Sequence, residues 1–375
     1  MRIRYLRLII LLGFVSPCLS QEVRFLQIGS LHSWFRADGS ESETGRTGRS
    51  AEMIDGLQWP AFYANQDCQV SKGLWIGAKN YRDPAESGGK SYNCKVIHCG
   101  PRYAGAEDFI PIEFKLTSRF PFPQVSVDGR LDERLSTTHK LDGIDPGLSC
   151  DQMITTIVNT SLGVTMERKI MAWTNPGHDN YYIHDYTFTN SGNTDADPMI
   201  EQQQTLEGVY FYFTFKYAMT KEAIFDFSNG WLPHSSLWGM STMLDARGEN
   251  PSDGDEFRAV FSWLGKHSQW GGPGDNIGAP AYLLDGHLGA AQYAGVITLH
   301  ADKSADDQTD DPWQPHTTQY MDSDGKIFSA NDTFDSTKMA AEYAAMTAGH
   351  PAIRHADAVG DGFADQYGGV PGGYL

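Results

Sequence analysis

The sequence predicts an all-β protein: a large antiparallel β-sandwich, with a supersandwich-like layout as its larger variant, and one helix near the C-terminus. Three observations predict it. Short runs rich in β-branched and aromatic residues recur along the chain, each bounded by Gly, Pro, Asn or Asp. Between residues 152 and 190 three such runs follow one another with tight connections, the pattern of an antiparallel meander. Helical periodicity is sparse until residues 335–349.

Taken in order, residues 1–20 (MRIRYLRLIILLGFVSPCLS) carry Arg2, Arg4 and Arg7 ahead of a short apolar run, with small residues before Gln21. That is the pattern of a cleaved secretory signal peptide. The apolar run is shorter than the ~20 residues a membrane span requires. A lipoprotein reading at Cys18 is disfavoured by Pro17, which stands where a small residue is expected. Residues 22–35 read as a first strand region. Residues 40–50 (SESETGRTGRS) are small and polar and predict a mobile loop. Strands are expected at 72–79, 93–99 and 110–117, while the two prolines in 120–123 predict an edge or a loop.

The meander is the clearest local structure. Residues 153–160 form its first strand, and 164–173 the second, with Val164, Met166, Arg168 and Ile170 on one face. Residues 181–189 form the third, with Tyr182, His184, Tyr186 and Phe188 on one face. Residues 209–217 (VYFYFTFKY) are aromatic at nearly every position, which predicts an inner strand covered on both faces. Further strands are expected at 257–264 and 293–300. Asp335 can cap a helix running to Gly349, with Met339, Tyr343 and Met346 on its apolar stripe. The expected organisation is a leader at 1–20, a β-sandwich domain at 21–330, and a helix with a Gly-rich tail at 331–375.

With 40% hydrophobic and 12% aromatic residues the 375-residue chain can bury a sizeable core. Its formal net charge of −18 argues against nucleic acid and anionic membrane as partners, because phosphate recognition needs clustered Lys and Arg. Nothing in the mature chain is long and apolar enough to span a bilayer. The GxSxG, HExxH, Walker A and GxGxxG patterns are missing.

Four kinds of candidate site remain. Cys68, Cys94, Cys99 and Cys150 are an even number in an oxidising compartment, which suggests two disulfides, with buried thiols or a metal as alternatives. Calcium is the candidate cofactor: it takes six to eight oxygen ligands, and Asp302, Asp306 and Asp310 crowd one segment, with Asp322 and Asp324 following. Solvated acidic loops explain the same residues. His300–Asp302 and His355–Asp357 repeat a His-Ala-Asp pattern whose ends share one face of a strand, suited to a hydrogen bond or a metal. Trp34, Trp59, Trp75, Trp231, Trp238 and Trp270 sit beside Gly, Pro or polar residues and could stack on sugar rings; Trp231 and Trp238, in the loop-like NGWLPHSSLWG, are the expected carbohydrate contacts. Glu167 and Asp185 on neighbouring strands could act as an acid–base pair, although surface charges are the simpler account.

Several stretches also resemble a group of uncharacterised secreted or cell-surface proteins of marine and environmental bacteria. They are GSLHSWF (29–35), DGLQWP (55–60), KGLWIGAKNY (72–81), VNTSLGVTMERKI (158–170), DNYYIHDYTFTNSGN (179–193), LHADKSADDQTDDP (299–312) and RHADAV (354–359). The resemblance runs through most of the mature chain and implies export, in proteins that often carry a C-terminal sorting module. It brings no activity and no catalytic residue. More loosely, the Glu167-Arg168-Lys169 strand and the DNYYIHDYTFTNSGN strand look like strand pairs in large β-sandwiches of carbohydrate-active proteins, a likeness of fold that does not fix function. The leading expectation is an exported, non-enzymatic surface or matrix protein whose partners are polysaccharide or cell-surface proteins. The alternative is an extracellular carbohydrate-binding or carbohydrate-cleaving protein.

Overall fold

The computed structural model describes residues 22–42, 56–63, 66–84, 89–100, 108–122, 126–131, 140–217, 242–247, 258–263, 278, 288–319, 321–322, 335–352 and 373–374. Among them run β1 (Val23–Ile28), β2 (Leu31–Arg36), β3 (Glu41–Ser42), β4 (Gln69–Asp83), β5 (Lys90–Cys99) and β6 (Phe109–Ser118). The short β7 (Ser126–Val127), β8 (Arg130–Leu131) and β9 (Gly143–Ile144) precede β10 (Gln152–Thr160), β11 (Val164–Ala172), β12 (Ile183–Asn190) and β13 (Glu207–Tyr217). Then come β14 (Thr242–Arg247), β15 (Arg258–Trp263), β16 (Tyr293–Thr298), β17 (Asp302–Ser304), β18 (Asp307–Asp310), β19 (Met321–Asp322), α1 (Ser336–Met346) and β20 (Gly373–Tyr374).

The expected meander forms three consecutive strands, from one edge inward, of a five-stranded sheet in the order β12–β11–β10–β6–β9, antiparallel except for the β6–β9 pair. Strict alternation builds it. Along β10 and β11 every second residue is buried, and the register sets Ile154 beside Ile170 and Val158 beside Met166. The opposite face is solvated and carries the ion pairs Lys115–Glu113 (2.7 Å) and Lys169–Glu167 (3.0 Å). One buried face and one wet face is the usual economy of an antiparallel sheet.

Two different layers cover the buried face. Over one part lies a second sheet in which the long β4 pairs with β13 on one side and with β3 and then β5 on the other. Leu74, Ile76, Ile97, Val158, Val164 and Met166 share the core between the sheets. Over the other part lies the β1–β2 hairpin, where Leu26, Phe35, Phe114, Leu116, Ile154 and Ile170 pack together. The hairpin is fastened by Arg24, whose Nε and Nη2 donate to Asp142 at 2.7 and 3.0 Å, while the Leu116 amide donates to the same carboxylate at 2.8 Å. The sandwich is thus the predicted one. Residues 22–35 form a hairpin rather than one strand region, because Gly29 (φ +68°) turns the chain back.

Helix α1 covers the far face of the second sheet. Asp335 caps it by accepting from the Thr337 and Lys338 amides, and Met339, Tyr343 and Met346 are buried, as the sequence predicts. The helix ends at Met346 rather than running to Gly349. It sits close to the sheet because Gly77 has no side chain: a Cβ there would meet Met346 and Tyr343 at 3.0 Å. The aromatic strand β13 departs from expectation. Both its faces are packed, one against β12 (Phe188–Phe211, ring centroids 3.8 Å apart) and one against α1 (Tyr210–Tyr343), yet it ends its sheet instead of lying inside it. Its aromatic density serves two layers.

The disulfide expectation is corrected: none of Cys68, Cys94, Cys99 and Cys150 forms a disulfide. Cys94 and Cys99 lie on one strand, opposite Lys79 and Leu74, and five positions apart they point to opposite faces. Cys68 and Cys150 are buried just ahead of β4 and β10. Burial pushes the Cys99 and Cys150 thiols above their ordinary pKa.

Two glycines make the turns of the meander testable. Gly192 (φ +74°) would carry a Cβ 2.0 Å from the Gln202 carbonyl, whereas Gly177 (φ +83°) has nothing within 4 Å. Gly177→Ala should cost only the left-handed backbone strain, about 1–2 kcal/mol. Gly192→Ala should cost clearly more, because backbone must move as well. Urea midpoints of the two variants check the order.

Candidate functional site

Among the described residues, the densest ionisable cluster lies at the seam where the hairpin and the second sheet meet over the main sheet. Alternation along β11 places Arg168 between Met166 and Ile170 on the apolar face, where its side chain is completely buried. Its Nη1 donates to the Gly39 carbonyl at 2.6 Å, and its Nη2 donates to the Arg36 carbonyl at 3.1 Å and to Thr156 Oγ1 at 3.3 Å. Glu41 and Lys72 are cross-strand neighbours on β3 and β4. Lys72 Nζ donates to Glu41 Oε1 at 2.7 Å and to Tyr186 Oη at 3.3 Å, and lies 3.3 Å from His184 Nδ1. Gln69 Nε2 donates to Glu41 Oε2 at 3.2 Å. Arg168 Nη1 and His184 Nδ1 approach Glu41 Oε1 at 3.7 and 3.8 Å. The rings of Tyr186 and Phe215 each lie 5.6 Å from the Lys72 ammonium.

These groups set one another's protonation. Burial alone would push the Glu41 carboxyl up, but the charges of Lys72, His184 and Arg168 outweigh it and bring its pKa down to about 2. Burial opposes the Lys72 ammonium, and the Glu41 charge overcomes it and raises the pKa. For His184, burial comes first and the Lys72 and Arg168 charges add to it; against the pull of Glu41 they lower its pKa to about 3. The cluster therefore holds an ion pair, a buried guanidinium and a neutral imidazole.

A second, exposed cluster follows β12. Among the described residues, Asp195, Asp197 and Glu201 are the one set of three or more potential metal ligands whose ligand atoms lie within 4.8 Å of one another. The loop folds on its own side chains: Asn193 Oδ1 accepts from the Asp195 amide (3.1 Å), Asp195 Oδ1 from the Asp197 amide (2.8 Å), and Glu201 Oε2 from the Thr194 amide (2.7 Å). Asn159 anchors it by donating to the Asp195 carbonyl at 2.7 Å. Oxygen ligands in this number and spacing could hold calcium. The available signal is Asn-x-Asp-x-Asp at 193–197, which shares the alternating acids of a calcium-loop pattern but has Asn193 for its first Asp and Pro198 for its glycine.

The acidic segment singled out from the sequence is built differently. It forms the β17–β18 hairpin, with Asp302 opposite Asp310. Asp310 accepts from Arg258 Nη2 (3.1 Å) and from the Ala301 amide (2.8 Å), and His300 Nε2 lies 2.9 Å from Asp302 Oδ1. These carboxylates serve the hairpin, and Asp302, Asp306 and Asp310 do not converge into a set of ligands. Asp322 closes β19, while Asp324 lies outside the described residues, as do Trp231, Trp238, Trp270 and the His355–Asp357 pair. Trp34 and Trp75 are buried in the core, and Trp59 is exposed. Glu167 sits on the solvated face opposite Thr187 and pairs with Lys169, whose cross-strand partner is Asp185, so the two carboxylates are diagonal neighbours on that face.

The fold and these clusters define a two-sheet β-sandwich with a charged seam inside and an acidic loop outside. Compared with known proteins, the chain matches no family model, no curated protein and no solved structure.

The seam has a pH signature. The unfolded chain takes up a proton on His184 near pH 6.5, whereas the folded chain refuses it until about pH 3. In that window the unfolded state binds more protons, so stability rises with pH and falls as the pH drops. The slope from this residue is up to ~1.4 kcal/mol per pH unit. His184→Gln should flatten the stability profile between pH 6.5 and the carboxylate range. Superimposable urea-derived profiles for the two proteins would show that His184 is protonated in the fold.

Proposed function

We propose that the protein is an exported surface or matrix protein that acts by binding and assembly rather than by turning over a substrate. The observation that carries this reading is the fate of the charged seam. Glu41, Lys72, Arg168 and His184, the densest acid–base constellation among the described residues, spend their contacts on one another and on the β2–β3 turn inside the sandwich. Export is supported by the leader-like residues 1–20 and by the resemblance to secreted bacterial proteins. The test is a screen of residues 21–375 against polysaccharides, scoring retention and released sugar. The expected result is no release. Reproducible release from any of them would overturn the non-enzymatic reading.

Polysaccharide binding is the second reading, and a specific surface favours it. Trp59, Phe62 and Tyr63 are 38%, 76% and 66% exposed on one turn. The turn is closed by the Tyr63 amide donating to the Pro60 carbonyl (3.1 Å), and it is tied to the β14–β16 sheet by Gln292, which donates to the Trp59 carbonyl (3.2 Å). Flat apolar faces held on a pinned turn suit pyranose rings. Trp59→Ala and Tyr63→Ala should each weaken retention on a bound polysaccharide about tenfold, equivalent to ~1.4 kcal/mol. Unchanged retention in both would move the binding surface elsewhere.

Calcium at Asp195, Asp197 and Glu201 belongs to the same proposal, as an ion that stiffens the loop after β12. Because an ion that binds only the folded state stabilises it by mass action, calcium at a hundred times its Kd should add ~2.7 kcal/mol. The melting temperature should rise with calcium, fall with chelator, and respond to neither in Asp197→Asn. A calcium response of equal size in the variant would remove this site.

A further inference from the structure

The Glu41–Lys72 pair combines four features that together point beyond an ion pair. The two residues are direct cross-strand partners, so their side chains leave the backbone side by side on one face. Both are more than nine-tenths buried, and Nζ and Oε1 are already 2.7 Å apart. Aromatic rings enclose the amine. A side chain able to carry protons touches the nucleophile and approaches the carboxylate: His184 Nδ1 is 3.3 Å from Nζ and 3.8 Å from Oε1.

We propose that Lys72 Nζ and Glu41 Cδ become joined by an amide bond, an internal cross-link that fastens β3 to β4 within the sandwich. The reaction is a condensation that needs no oxidant or co-reactant. The Nζ–Cδ bond forms and the Cδ–Oε1 bond breaks. Of the three ammonium protons one stays on the amide nitrogen, and two leave with Oε1 as water. His184 Nδ1 relays protons from Nζ to the departing oxygen. Gln69 Nε2 already donates to Oε2, the oxygen that remains, and so faces the charge that builds there in the tetrahedral adduct. Held side by side, the two groups react as one molecule instead of by encounter.

The surroundings favour the product. Two charges withdrawn from water are exchanged for one neutral group with a hydrogen-bond partner in place, which removes a desolvation cost. The net charge of the cluster does not change, and Arg168 keeps its bonds to the Gly39 and Arg36 carbonyls. Arg168 also attracts the Glu41 carboxylate and so opposes its protonation, which slows the step. A bond made once in the life of the molecule tolerates a slow step. The cross-link would hold a strand of two residues that no disulfide secures.

Mass spectrometry of the purified wild-type chain residues 21–375 tests this without a variant that could fail to fold. The intact mass should fall short of the sequence by one water, and digestion should yield a branched peptide joining Glu41 to Lys72. In Lys72→Arg, which keeps the charge but lacks the amine, the full mass should return. In His184→Gln, unlinked chain should accumulate during refolding and convert more slowly than in the wild type. A full-mass wild-type chain with Glu41 and Lys72 in separate linear peptides would overturn the proposal. So would a one-water deficit that tandem fragmentation assigns to any other pair of residues.

Discussion

A guanidinium with no exposure has five N–H donors to satisfy, and the strands beside Arg168 on its own sheet supply little for them. Only Thr156, across the ladder, offers an oxygen. The remaining acceptors come from the turn between β2 and β3, whose Arg36 and Gly39 carbonyls are aimed down onto the sheet. That demand fixes where the turn must lie. Gly39, at φ +95°, is pressed so close that a Cβ would come within 2.6 Å of Met166 Cε. With the turn fixed, the hairpin falls to one side of Arg168 and the second sheet to the other. β3 then enters the interior carrying Glu41, the anion that two buried cations require. The division of the core into two apolar clusters is a consequence of this single polar join.

The parts of the fold that rest on short-range pattern are legible in the sequence. Alternation with a period of two gives the meander, its faces and its turns, and the stripe at Met339, Tyr343 and Met346 gives the helix. What depends on partners distant along the chain is not legible. Glu41 stands in a small, polar stretch that reads as a mobile loop, yet it enters the sandwich because Lys72 and Arg168 are waiting there. Arg168 was the visible clue, a permanent charge placed by alternation between Met166 and Ile170. Density of charge misleads in the opposite direction. Five aspartates crowd residues 302–311 against three acids in the β12 loop, but a hairpin spreads them apart and gives Asp310 to Arg258 and Asp302 to His300. The sparser residues 193–201 converge because each side chain caps the next amide and curls the chain around them.

Polar groups are thus divided between two roles. Those at the seam are oriented by one another and hold layers together. Those on the open face of the main sheet, on the β12 loop and on the aromatic turn at Trp59 meet solvent and are what a partner would encounter. The second sheet is packed on its far side against α1, through Met339, Tyr343 and Met346.

The cysteines carry a different consequence. A thiol exchanges or oxidises through its thiolate, and the burial of Cys99 and Cys150 disfavours that form. They behave as small hydrophobic side chains that happen to contain sulfur. At these two positions the sulfur is held for its bulk, and exchange with an outside thiol would first require the sandwich to open around it.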